Sequence, residues 1–485
     1  MSVSGKKNNA PKIFSILIAS VLASVLLLAM FFFKKGELSL GMPVLVLPFI
    51  IVFITAIFID PRLGFLAAII ANYFALGIAR YVPAPMGLTV DVFLVLTWLA
   101  VFFSQFNKKI KWEKAWNGFT VVAIIWFLYT VFQLFNPEAV SRIAWFYAMR
   151  GISLYMLLVI PIVYILFDKR KYLEKMLSIW AWFTLAAVAK GAMQKIIGPD
   201  PWEQYWLDTV GGITHLLSQG LRVFSFFSDA ATYGGSMAFS AVVFSIVGFH
   251  TNNQKKKYFF YFVCCAAFYA MLISGTRGAI AVPFAGYALY AVLSRKIKIL
   301  IIGAILGATV FGFLKFTTIG NSVYEIRRFR GGIDSNNASL VVRKENKKLL
   351  TTYLADKPFG GGIGSAGNWG MRFSPGTFLA DTPTDSWYVQ IWAEQGRVGL
   401  VLHLFVLFYI LLKCSYITMF RLKDPELKGR GAAFCAGMFG VMAASYGSSA
   451  LGQMPNGIII YINMSFILIM QKWENELEAK KLIND

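Results

Sequence analysis

Charge is scarce in this sequence, and acid is scarcer than base. Only 14% of the 485 residues are Asp, Glu, Lys or Arg, against 58% that are hydrophobic, and 24 acids stand beside 46 bases. A soluble domain carries about a quarter charged residues, so a water-exposed globular fold is excluded. Cysteine is too rare for a disulfide framework: Cys264, Cys265, Cys414 and Cys435 fall in or beside apolar runs, where packing is their expected role. There is no CxxC or HxxxH spacing, no DxD pair and no P-loop, which leaves metal and nucleotide chemistry without support, and no cofactor is expected. Heptads, short-period repeats and low-complexity segments are missing as well.

Long apolar runs are abundant. About 20 mostly apolar residues span a bilayer as a helix, and such runs recur at 13–33, 42–59, 63–80, 88–104, 117–135, 151–167, 177–197, 230–249, 258–274, 278–294, 298–316, 387–413, 431–450 and 457–472. The expected fold is therefore all-α, a polytopic integral membrane helix bundle of about 14 transmembrane helices. The net charge of +22 could point to nucleic acid, but its distribution reports topology instead. With the N-terminus inside, "GKKNNAPK", "NKKIKWEK", "DKRKYLEK", "NNQKKK", "SRKIK", "FRLKDPELKGR" and "EAKK" all fall on the cytoplasmic side, and so do both termini. The first run is too long for the apolar part of a signal peptide and is read as a retained helix.

In this topology two outward segments are long, 198–229 and 317–386, and function is sought there. The chain divides into an N-terminal bundle (1–197), a central region (198–316), a large periplasmic loop (317–386) and C-terminal helices (387–485). Within the large loop an amphipathic helix is expected from Leu340 to about Ala355, stopped by Pro358 and followed by a glycine-rich turn. Arg222 and Asp229 stand just before the eighth run, and Arg277 stands in the short break between the ninth and tenth. Arginine on the side that the positive-inside rule depletes asks for an anionic partner, and a guanidinium fork suits phosphate. Snorkelling to lipid headgroups is the plain alternative for Arg277, and contact with anionic lipid is the one for the loop's basic cluster around Arg343. Lys190 lies in the outer half of the seventh run and is also within reach of phosphate.

Four segments in order, "RVFSFFSDAATYGG", "SGTRGAIA", "KPFGGGIGS" and "DSWYVQIWAEQGRVGL", resemble the O-antigen ligase and repeat-unit polymerase family of bacterial envelopes. The resemblance covers residues 190–415 and implies a fold similar to the C-type glycosyltransferases. It also implies transfer of a glycan from undecaprenyl diphosphate to an acceptor hydroxyl, without metal, on the outer face of the bacterial inner membrane. The acceptor would be another glycan, a lipid A core or a protein. Carried across by position, the family's arginines fall on Arg222 and Arg277 and its usual histidine on Asp385, with Ser386 replacing asparagine, while Tyr388, Glu394 and Gly396 keep the pattern. Arg222, Arg277 and Arg343 are thus candidates for the diphosphate and Asp385 for the base. Tyr388, Asp229, His215 and Lys190 are supporting candidates, His215 being the rival base in the outer segments. Asp385 also follows Pro383 and Thr384 at an expected helix start, where aspartate is favoured simply as a cap. A transporter or flippase of lipid-linked glycans or other solutes is the alternative from another class. Its charged groups would gather near the midplane in paired repeats rather than beside one asymmetric loop.

Overall fold

The structure, a computed structural model, describes residues 38–484 except 83, 108–109, 218–219, 296, 323 and 332–337. Among the described residues its regular elements are helices, apart from a short antiparallel ladder in which Leu216–Leu217 pairs with Gly220–Leu221. Among the described residues nine helices are long and apolar enough to cross a membrane, so the chain is a multi-pass helical membrane protein. The expected count of 14 is not reproduced one for one. The first run lies outside the described residues, the second and eleventh form Leu38–Ile59 and Ile297–Phe316, and the last two form Pro425–Ala444 and Asn456–Asn484.

Among the described residues, those within 38–67 and 92–110 form one unit, and those within 68–91 and 111–484 form the other. In the first, aromatic rings join the helix Leu38–Ile59 to Thr89–Asn107: Phe53 meets Phe93 edge-on at 6.1 Å and Phe58 meets Phe103 at 5.7 Å. Phe49, Val52, Phe102 and Phe106 are exposed, an arrangement that suits lipid rather than water.

The second unit is built round Ala230–His250, which is buried almost along its whole length. Asp229 caps it by accepting from Thr232 N–H, and Asn253 and Asp424 cap the helices Gln254–Ile273 and Pro425–Ala444 in the same way. Small residues let these helices approach closely. A Cβ on Gly440 would stand 2.5 Å from Val282 O, and one on Gly437 would stand 2.4 Å from the Phe239 ring. The Pro425–Ala444 helix is rich in Ala and Gly because it is buried on every side and contacts protein rather than lipid.

Polar contacts within this unit sort the connecting segments into two sets. In one set, Lys114 pairs with Asp168 at 2.6 Å, Arg170 with Asp424 and Glu426 at 3.2 and 3.0 Å, Lys256 with Glu174 at 3.1 Å, and Arg430 with Glu174 and Glu426. These are the segments with the basic runs. In the other set, Tyr81 and Lys190 meet Asp200, Lys357 pairs with Glu138 at 2.9 Å, and Gln133 donates to Phe359 O. Both long segments belong to this second set and carry structure of their own. Residues 198–229 contain the short helix Pro201–Trp206, closed by a capping box between Asp200 and Glu203. The larger loop contains the helix Ala338–Tyr353, close to the expected bounds, whose Leu350 and Leu354 pack with Ala366, Leu379 and Ala393.

Candidate functional site

The hairpin before Ala230 is closed by Arg222 N–H donating to His215 O at 2.9 Å, which holds the Arg222 side chain beside the break between helices Gln254–Ile273 and Ala281–Ser294. Arg222 Nη1 donates to Thr214 O at 3.0 Å and Nη2 to Thr276 Oγ1 at 3.3 Å. Thr276 Oγ1 donates in turn to Ala230 O at 2.7 Å. The next residue, Arg277, donates to Gly331 O at 3.2 Å, and Arg328 donates to Gly275 O. Residues distant in sequence thus bring Arg222, Arg277 and Arg328 to one short hairpin, a cationic patch assembled from three segments.

Asp385 pairs with Arg343, Nε to Oδ2 at 2.8 Å, with both side chains about half exposed. The same helix reaches the preceding turn through Asn346, which donates to Pro383 O at 3.4 Å. The cap reading of Asp385 is corrected: Ser386 holds the cap position of Trp387–Phe420 and makes no side-chain cap bond, its Oγ donating to Ser445 O at 3.2 Å, while Asp385 engages Arg343 of the loop helix.

Three supporting candidates are held by structural bonds. His215 is buried between the Trp206 and Phe224 rings, with Nδ1 2.9 Å from Gly211 O and Nε2 accepting from Ala230 N–H at 3.1 Å. Those partners fix the neutral Nδ1–H form. Burial pushes its pKa below the usual histidine value, Arg222 and Arg80 push the same way, and the Gly211 bond and Asp229 oppose them. It is a strut for the helix start, not a base facing substrate. Lys190 is clamped by Asp200 at 2.9 Å and Glu203 at 3.0 Å. Burial raises the Asp200 pKa, but bonds from Tyr81, the Glu203 backbone and Lys190 outweigh it and hold the carboxyl below its ordinary value. Tyr388 donates to Met442 O at 2.8 Å, a helix-to-helix tie.

A cavity of about 670 Å³ opens between these features. Thr384, Trp387 and Gln390 line it from the Asp385 side, and Trp206 and Ser228 from the Arg222 side. Among the described residues, Arg222, Arg277, Arg343 and Asp385 lie outside this lining. Its cations are Arg150 and Arg372, which the sequence reading missed. Arg150 is 7% exposed and pairs with Asp91 at 2.7 Å, and Asp91 also accepts from Tyr155 OH at 3.2 Å. The signal was available: Arg150 opens an apolar run on the side where arginine is scarce, as Arg277 does. Arg372, on the short helix Gly367–Phe373 of the large loop, lies in a segment where the same signal applied.

"PFGGGIGS" is a docking turn, as its glycines suggest. Gly361 N–H donates to Ala393 O at 2.9 Å and Val398 N–H to Pro358 O at 3.2 Å, fastening the turn to a kink at Gly396.

Fold and site together define a multi-pass helical membrane protein with an amphipathic cavity and clustered arginines beside its longest connecting loop. Residues 260–404 match the family described as O-Antigen ligase, a span that includes Arg277, Arg343, Arg372 and Asp385. The matched segment is thus similar to the O-antigen ligase family, and membrane glycan transfer is the broad class of function that this similarity supports. No curated protein matches the chain.

Proposed function

We propose that this protein transfers a glycan from an undecaprenyl-diphosphate donor to an acceptor hydroxyl at the outer face of the bacterial inner membrane, with both termini in the cytoplasm. The observation that carries this reading is one cavity adjoining both Asp385, through Thr384 and Trp387, and the Arg222 hairpin, through Ser228 and Trp206. The acceptor oxygen attacks the anomeric carbon as its proton passes to the Asp385 carboxylate. The bond from that carbon to the phosphate oxygen breaks, and the electron pair leaves with the lipid diphosphate. Charge grows on the leaving diphosphate, where guanidinium groups held by fixed partners stabilise it with little reorganisation. Arg222 and Arg277 have that role, and Arg343 positions Asp385.

A deletion strain and its glycan profile test the reading. A lost polymerase leaves single repeat units on the acceptor, a lost ligase leaves lipid-linked chains beside bare acceptor, and a lost transporter traps repeats inside. Complementation with Asp385→Asn is expected to yield inserted, stable protein and little or no product. An exposed ion pair contributes only about 0–1 kcal/mol to stability, so failure to fold would not be the cause. Full product from Asp385→Asn removes this residue from the reaction.

A further inference from the structure

The cavity's own charge is not used by that mechanism. Arg150 is locked in place, Nη1 on Asp91 and Nε donating to Tyr147 O at 3.2 Å, while Nη2 has no hydrogen-bond partner among the described residues. Its guanidinium carbon lies 5.1 Å from the centre of the Tyr147 ring, and that of Arg372 lies 5.8 Å from it. Trp369 and Phe373 stack on the same tyrosine at 5.0 and 5.3 Å. Among the described residues Arg372 has only ring contacts and no acid. Two arginines against Asp91 leave one uncompensated cation beside an aromatic platform, with the amides of Gln390 and Asn368 also in the wall.

We propose that this cavity is a glycan subsite selective for an acidic sugar, whose carboxylate is bound by Arg372 and Arg150 while its ring lies against Tyr147 and Trp369. The proposal rests on the glycan-transfer reading and names its substrate class. A neutral glycan would be served by the amides and rings alone. A buried arginine that keeps an open fork edge, in a wall shared with a second arginine on the same tyrosine ring, suits an oxyanion. The arginines that the family resemblance assigns to the donor diphosphate, Arg222 and Arg277, lie outside the lining, so this charge is left for the sugar.

Calorimetric titration of the full chain in nanodiscs tests it, with a glucuronate-containing tetrasaccharide, a neutral tetrasaccharide of equal length, and inorganic pyrophosphate as probes. The acidic probe is expected to bind about tenfold more tightly than the neutral one, the worth of one charge-assisted contact. Arg372→Gln, a change at an exposed position, should erase that preference and leave neutral binding in place. Trp369→Ala should weaken both. Equal affinity for the two sugars, no saturable binding of either, or a preference that survives Arg372→Gln overturns the proposal. Displacement of the acidic sugar by pyrophosphate at equal concentration overturns it too, since the anion would then be the donor's diphosphate. Transfer of lipid-linked glycan is a separate readout: an acid preference without transfer refutes the proposed function, not this subsite.

Discussion

At His215 both ring nitrogens already have partners, and this decides its chemistry. Protonation would place a second N–H against the Ala230 N–H and break the bond that holds the start of the central helix. Because the folded-state pKa is depressed, the contribution of His215 to stability is complete above the unfolded value of about 6.5 and is lost as pH falls below it toward the folded value. The melting temperature of the purified protein should therefore decline between pH 7 and pH 5. His215→Gln keeps an acceptor for Ala230 and a donor for Gly211 but does not titrate, so its decline should be shallower. Identical slopes for the two proteins would refute the assignment. Histidine as a residue type gave no warning of this role. Its loop position suggested solvation, and only the fold shows Trp206 and Phe224 closing round it. Arg222 and Arg277 stand out in the sequence because they fall in segments where the positive-inside rule expects few arginines. The pairing of Arg150 with Asp91 was not, since it joins two helices 59 positions apart.

Among the elements, the glycine-rich turn and the kinked helix Trp387–Phe420 define each other. Gly396 has φ 67° and ψ −167°, a region open essentially to glycine alone, and a Cβ there would stand 2.0 Å from Pro358 O. Gly360, at φ 71°, would put its own Cβ 2.4 Å from Gly396 N. The two backbones are in contact, and the helix that follows Asp385 is aimed by that contact. Gly396→Ala is expected to cost about 1–3 kcal/mol from the backbone alone, with the clash added, and to lower both melting temperature and glycan output. Gly376→Ala, also at positive φ but with open space around it, should cost only about 1 kcal/mol. Equal melting temperatures for the two variants would mean that the turn does not brace the helix. The sequence marks this turn clearly, and the amphipathic helix Ala338–Tyr353 nearly to its ends. It does not say that the turn docks on Ala393 and Val398, because docking leaves no periodic trace.

At the scale of the whole molecule, burial and hydropathy do not run together: Ala230–His250 is buried along most of its length and still counts among the nine apolar spans, whereas Pro425–Ala444 does not. Pro425–Ala444 is surrounded by protein, so close approach selects Ala and Gly there, and it falls outside the nine helices apolar enough to cross a membrane by length and composition. The distribution of charge is the stronger guide, because it concerns loops rather than spans. Segments with the basic runs meet one another, as Arg170 meets Asp424 and Lys114 meets Asp168, while the Arg222 hairpin meets the Thr276 break and Arg343 meets Asp385. The positive-inside rule assigns the first set to the cytoplasm. Reporter fusions after Lys256 and Lys423 are therefore expected to read inside, and fusions after Gly220 and Gly376 outside. The Gly376 fusion decides most, for it lies in the loop that carries Arg343 and Asp385. An outside signal there places the candidate base, the arginine patch and the cavity where a translocated lipid-linked glycan meets its acceptor. An inside signal puts the same residues in the compartment where lipid-linked repeats are built, and transfer at the outer face would have to be abandoned whatever the variants show.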